Sequence, residues 1–137
     1  MSLQIDEIMI REIITLDGRA TVREAVEIMA KQEISCLIIV QGESPIGIVT
    51  ERDFLTRVLL EGRDPATTKV FQVMSAPLVY GNPNMNVREA VKLMNVKKIK
   101  KLPILENGHI VGMITLTDIA RSIAYLEHIY AAIQKNL

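Results

Sequence analysis

Gly47-Ile48-Val49-Thr50-Glu51-Arg52-Asp53 is the stretch on which the fold turns, because the chain writes it again as Gly112-Met113-Ile114-Thr115-Leu116-Thr117-Asp118. Both strings read Gly-h-h-Thr-x-x-Asp, with h an apolar residue. Working outward, residues 8–54 overlie residues 73–119 without a gap, 65 positions apart, and 13 of the 47 aligned positions are identical. The block Val22-Arg23-Glu24-Ala25-Val26 returns as Val87-Arg88-Glu89-Ala90-Val91. A unit kept twice with its polar string intact points to two copies of one site rather than to a lone catalytic cluster.

Composition narrows the class. Of 137 residues, 49% are hydrophobic and 23% charged, the balance of a folded globular chain. One 65-residue copy would bury only about 60% of its unfolded surface alone, so the copies are expected to pack together. No apolar run approaches the roughly 18 residues that span a bilayer. The start, Met1-Ser2-Leu3-Gln4-Ile5-Asp6-Glu7, has neither the basic residues nor the apolar stretch of a secretory leader. The single cysteine, Cys36, leaves no internal disulfide or cysteine zinc site and is expected as a buried, inert thiol. These readings point to the cytoplasm. Zero net charge and 4% aromatic content leave little to attract or stack nucleic acid, and no membrane partner is expected either.

Each copy reads as strand, helix, strand, strand, helix. Residues 13–15 and 78–80 are expected as short entry strands. Thr21 with Glu24, and Asn86 with Glu89, fit the capping pattern that opens a helix. Val22, Ala25, Val26 and Met29, matched by Val87, Ala90, Val91 and Met94, recur at helical spacing and predict one core-facing stripe. Two apolar strands follow, at 36–40 and 46–49, then at 102–105 and 110–114. Asn107-Gly108 predicts a tight hairpin, whose two central residues need positive φ. Continuous apolarity implies strands covered on both faces. The closing helices are expected at about 52–60 and from 118 toward 134. Ile119, Ile123, Leu126, Tyr130 and Ile133 mark one side of the second, over roughly 25 Å, either as core cover or as a dimer surface.

A β-α-β-β-α unit that occurs twice and ends in Gly-h-h-Thr-x-x-Asp resembles the cystathionine-β-synthase (CBS) domain. The resemblance also rests on the Met9 and Met74 lead-ins and on Leu102-Pro103-Ile104. It implies an α/β (α+β) fold of two CBS repeats, at 5–62 and 73–128, packed through their sheets as one pseudo-twofold module. Residues 63–72 are the connector and 129–137 a C-terminal helix extension. It further implies a non-enzymatic regulatory module with two clefts for adenosine compounds such as AMP, ADP, ATP or S-adenosylmethionine. No cofactor is required. The expected partners are the small adenosine ligand, a second copy in a homodimer, and a regulated protein of unknown identity.

The repeated string has its own chemistry. Gly47 and Gly112 let another group approach the backbone closely. Thr50, Asp53, Thr115 and Asp118 lie where strand becomes helix. An ionised carboxylate is a two-oxygen acceptor suited to a ribose diol. Thr-x-x-Asp is equally a relative of the capping box, so these residues can serve their own helix ends, and both roles stay open. From the resemblance, Lys100 and its counterpart Ser35 would face phosphate, joined by Arg52 and Thr117 reaching across from the other repeat. The Asp118 site would gain Arg52 and Lys100, and the Asp53 site Lys100 and Thr117. Ile13, Ile46, Leu78, Tyr80 and Val111 could line an adenine slot. Ile38 and Ser35 replace the proline and cation of repeat two, which weakens phosphate recognition near repeat one. His109 and His128 are expected in solvent, with no metal role. The runner-up reading is an interaction scaffold whose Thr-x-x-Asp strings are only caps; nucleic-acid binding through Lys97, Lys98, Lys100 and Lys101 ranks third.

Overall fold

The computed structural model describes residues 3–135. Met1, Ser2 and residues 136 and 137, the last two part of the expected C-terminal extension, lie outside them.

Each copy's first helix begins where a polar side chain takes over unpaired N–H groups. Thr21 Oγ1 accepts from the Glu24 amide at 3.1 Å, and Glu24 Oε2 accepts from the Thr21 amide at 3.4 Å, opening α1, Val22–Gln32. Asn86 Oδ1 accepts from the Glu89 amide at 2.8 Å to open α3, Val87–Lys97. Both helices stop on a left-handed residue, Glu33 (φ 55°) and Lys98 (φ 57°).

The expected stripe is buried at Val22, Ala25 and Met29, and at Ala90 and Met94. Val26 and Val91 depart from it, 43% and 36% exposed. At 100° per residue, Val26 falls about 70° round from the centre of the buried face. It lines instead, with Phe54, Leu55 and Leu59, an apolar groove of about 530 Å³.

In the first repeat β1, Thr15–Asp17, runs parallel to β2, Cys36–Gln41, and β2 pairs antiparallel with β3, Ser44–Thr50. Leu37, Ile38 and Ile39 are buried in succession, as expected of a strand covered on both faces. A bulge between Ile39 and Val40 leaves Ile46 as an extra residue on β3. Cys36 is half-buried and in no disulfide. In the second repeat β4, Lys101–Glu106, pairs with β5, His109–Thr115, through a turn with φ of 54° at Asn107 and 79° at Gly108.

The entry strand expected at 78–80 does not form. One parallel bridge, Gly81 to Ile104, stands where Leu16 meets Ile39 in the first repeat. Pro77 and Pro83 lack N–H donors, and Gly81 has no side chain to pack.

The closing helices differ. In the first repeat α2, Glu51–Phe54, passes into a π-helical turn, Leu55–Leu59, where the Leu60 amide bonds the Leu55 carbonyl at 3.0 Å. Gly62 (φ 67°) follows. In the second, α4 runs 20 residues, Leu116–Lys135, about 30 Å rather than the expected 25 Å. Ile119 is buried, but Ile123, Leu126, Tyr130 and Ile133 are exposed.

The chain divides into two compact units, Met1–Arg11 with Tyr80–Glu106 and Val111–Leu137, and Glu12–Val79 with Asn107–Ile110. The units exchange lead-ins relative to the sequence repeats. Val70, in the expected connector, and Val73, at the start of the second repeat, lie fully buried in the first repeat's core with Leu37, Ile39 and Val49. The Val70 and Phe71 amides bond the carbonyls of Ala20 (2.8 Å) and Gly18 (3.1 Å). Sixty-five residues away the pattern recurs, with the Ile5 and Asp6 amides on the carbonyls of Met85 (2.9 Å) and Pro83 (3.2 Å).

Candidate functional site

Thr50 and Thr115 end their strands and cap the helices that follow. Thr50 Oγ1 accepts from the Asp53 amide at 3.4 Å, and Thr115 Oγ1 from the Asp118 amide at 3.0 Å. The capping role left open in the sequence is therefore realised in both repeats.

The two carboxylates have unequal surroundings. Asp53 Oδ2 accepts from the Thr50 amide at 2.9 Å and from Thr50 Oγ1 at 3.2 Å. Its Oδ1 accepts from Ser75 Oγ at 3.1 Å and lies 3.8 Å from Arg57 Nε. Its side chain is 9% exposed. Asp118 Oδ1 lies 3.8 Å from the largely exposed Arg121 guanidinium, and the Asp118 side chain is 21% exposed.

The source of the difference is local. The backbone of Ser75 pairs with Ile48 on β3 through bonds of 2.8 and 3.1 Å, and Ile10 pairs with Met113 on β5 through two bonds of 2.9 Å. Ile10 thus holds, in its own unit, the place of Ser75, and an isoleucine has no hydroxyl to give Asp118. Arg57 is fastened by the carbonyls of Val73 (3.2 Å) and Met74 (2.7 Å), while its counterpart Ser122 bonds back to the Asp118 carbonyl at 2.9 Å. Ser75 and Arg57 were not anticipated from sequence. The one visible sign was the polar-for-apolar exchange of Ser75 against Ile10 in the repeat alignment.

Gly47 and Gly112 are explained by packing. A Cβ on Gly47 would stand 2.6 Å from Met74 Sδ and 2.8 Å from the Ser75 carbonyl, and one on Gly112 would stand 2.5 Å from Met9 Sδ and 3.0 Å from the Ile10 carbonyl. The group that approaches the backbone here is the methionine lead-in.

Ser35 and Lys100 fall beside these helix starts. The Ser35 carbonyl accepts from the Glu51 amide at 3.3 Å, and the Lys100 carbonyl from the Leu116 amide at 3.1 Å. Ser35 is half-buried, and Lys100 is exposed. Arg52 and Thr117 are exposed on the first turns of α2 and α4.

The adenine set is divided. Ile13 is half-buried and, extending the β1–β2 register, level with Cys36, which pairs with Thr50. Leu78 is half-buried, and Tyr80 is 55% exposed next to the Gly81 bridge. Ile46 sits four residues before Thr50, about 13 Å away along β3, so within its unit it is not beside Thr50 and Asp53. Val111 stands equally far from Thr115 on β5. Ile46 instead lines a cavity of about 500 Å³ with Asp17, Gly18, Arg19, Phe71 and Met74, among others. Arg19 donates to both Asp17 oxygens at 3.0 and 3.1 Å, holding that carboxyl below its ordinary range. His109 and His128 are exposed, and no cluster of three metal-ligating side chains occurs among the described residues. Among the same residues no helix is long and apolar enough to cross a membrane.

Comparison with known proteins gives this arrangement its class. The CBS domain matches the chain twice, at residues 5–60 and 70–125, and the chain belongs to the CBS domain family as a tandem pair, a regulatory, ligand-binding module. It is 36% identical over 127 residues to protein MK0525 of Methanopyrus kandleri, covering 91% of this chain and 65% of that one, so it spans just under two thirds of that relative. It is similar to the hexameric CBS-CP12 protein from bloom-forming cyanobacteria, with 33% identity, a TM-score of 0.82, and coverage of 93% of this chain and 75% of that one. It shares the fold of the CBS domain pair of protein MJ0100, solved with 5′-methylthioadenosine and S-adenosyl-L-methionine, at 21% identity and a TM-score of 0.81 over 90% and 98% of the two chains.

Proposed function

We propose that this CBS pair is a non-enzymatic module that binds an adenosine nucleotide, AMP, ADP or ATP, and passes its bound state to a separate protein in the cytoplasm, acting as a homodimer. The ribose is held first at Thr115 and Asp118, with Lys100 and Arg52 toward the phosphates. Lys100 and Thr117 serve the weaker site at Thr50 and Asp53, where Ser35, the counterpart of Lys100, supplies no cation. Ile13, Leu78 and Tyr80 are the nearer candidates for the adenine, and Ile46 and Val111 the more remote.

The observation that carries the reading is the inequality of the two carboxylates. Asp53 is enclosed by Thr50, Ser75 and Arg57, whereas Asp118 keeps more of its surface open and has Ile10 where its twin has Ser75. The MJ0100 pair supports an adenosine class of ligand only through the shared fold. A regulatory output follows if the nucleotide binds two states of the module with different affinity.

Calorimetric titration with AMP, ADP, ATP and S-adenosylmethionine tests the proposal. Asp118→Ala is expected to weaken nucleotide binding about tenfold to a few hundredfold, the worth of a charge-assisted hydrogen bond. Asp53→Ala is expected to leave that affinity within about threefold and to lower the melting temperature instead. Equal losses in both variants would remove the asymmetry. The caps observed at both threonines favour one second reading, a scaffold with vestigial pockets. The absence of any thermal shift with all four compounds would decide for it, since ligand at 100 times its dissociation constant adds about 2.7 kcal/mol.

A further inference from the structure

The contacts of Asp53 lead back to one short segment. Ser75 Oγ donates to Asp53 Oδ1 at 3.1 Å, and the Ser75 backbone pairs with Ile48, two residues before Thr50. Arg57 Nε lies 3.8 Å from the same carboxylate oxygen, while Arg57 Nη1 donates to the carbonyls of Val73 (3.2 Å) and Met74 (2.7 Å). Carboxylate, guanidinium and residues 73–75 thus close a polar ring at the start of α2, inside the unit that the chain leaves after Val79. The ring also fills the carboxylate, which offers about four lone-pair positions. Thr50 takes two on Oδ2, through its amide at 2.9 Å and its hydroxyl at 3.2 Å, Ser75 takes one on Oδ1, and Arg57 faces the rest. A sugar diol finds its place held by a serine hydroxyl of the chain itself. In the second repeat Ile10 and Ser122 stand at these positions, and Ser122 turns back to the Asp118 carbonyl.

On the nucleotide reading of the Thr-x-x-Asp strings, on which this rests, we propose that Ser75 is the internal occupant of the repeat-one site and that Asp53, through Ser75 and Arg57, latches residues 73–75. A ribose entering at Asp53 displaces the Ser75 hydroxyl and parts Arg57 from the carboxylate, which loosens the segment. At Asp118 an isoleucine stands in the place of Ser75, so a ribose there displaces no such hydroxyl. The repeat-one site is weaker because part of its binding free energy goes into opening the latch. For the same reason it is the site whose occupancy changes the freedom of the segment running toward the second repeat. Linkage fixes the reverse effect: whatever holds residues 73–75 in place, a bound protein included, weakens nucleotide at Asp53 by the factor with which nucleotide weakens that hold.

Calorimetric titration of ATP into the full chain carrying Asp118→Ala isolates the repeat-one site. Adding Ser75→Ala to that chain is expected to tighten ATP binding about tenfold, since a hydrogen bond to a charged group no longer competes. Equal or weaker binding overturns the occupant role. The reciprocal Ile10→Ser, in an otherwise unsubstituted chain, is expected to weaken the tighter ATP site about threefold to tenfold, and an unchanged affinity counts against the same role. Hydrogen exchange reads the latch. Saturating ATP on the Asp118→Ala chain is expected to speed exchange about fivefold or more at the Ser75 and Ile48 amides, which bond each other's carbonyls at 2.8 and 3.1 Å. Unchanged or slower exchange with ATP bound overturns the latch and leaves nucleotide binding standing. Binding by the unsubstituted chain but by neither Asp118→Ala chain overturns the latch alone. No binding by any chain overturns the nucleotide reading together with it.

Discussion

Asp53 and Asp118 hold the same place in two copies of one string, and a single neighbour does most to separate them. Ser75 supplies Asp53 with a hydroxyl at 3.1 Å, and Ile10 stands at the matching position beside β5. The pattern Thr-x-x-Asp was legible because it is local. Ser75 is 22 residues from Asp53, and only the folded chain brings its hydroxyl there. Glycine at 47 and 112 was legible too, though its reason was not, since an absent Cβ does not say what fills the space. The fillers, Met74 and Met9, yield a stability prediction. Gly47→Ala is expected to cost about 2–3 kcal/mol, because its Cβ meets the fixed Ser75 carbonyl at 2.8 Å as well as the methionine. Gly112→Ala should cost about 1–2 kcal/mol, since beside the flexible end of Met9 its Cβ meets the Ile10 carbonyl less closely, at 3.0 Å. Urea unfolding of the two variants measures the difference, and the reverse order would show that Met74 yields more easily than Met9.

Elements with strong local signals formed as their residues indicate. The caps at Thr21 and Asn86 and the Asn107-Gly108 turn each rest on interactions spanning a few residues. Replacing Gly108 by alanine, at φ 79°, is expected to lower stability by about 1 kcal/mol, whereas Asn107→Gly should stay within a few tenths. Thermal unfolding monitored by circular dichroism tests both. The missing strand at 78–80 is an instance where backbone chemistry overrode apolar pattern. Apolar residues alone do not make a strand when the flanking prolines withhold donors and the aligned position is a glycine. Val26 and Val91 show the same limit in helices. Helical spacing marks an apolar side, but the width of the face that finds a partner is set by what packs against it.

At the scale of the molecule, the repeat in sequence and the unit in space differ. Ile5 opens the first repeat, yet it is fully buried in the unit built from the second, with its amide on the Met85 carbonyl. Ile5→Ala is therefore expected to remove about 2–5 kcal/mol from that unit. In hydrogen exchange the lost protection should appear first in α3 and β4, more than 80 residues away along the chain. Loss confined to α1 and β2 would contradict the exchanged lead-ins.

By itself the sequence determined the tandem organisation, the order of elements apart from the second copy's entry strand, the helix caps and the hairpin, because each is set by contacts within a few residues or by identity between the copies. Tertiary structure alone decided which unit each lead-in completes, why the glycines are there, and which aspartate is enclosed. Those outcomes depend on residues distant along the chain meeting at a fixed distance. Two equal strings thereby acquire unequal chemistry, since a carboxylate's availability is fixed by the donors that the fold brings to it.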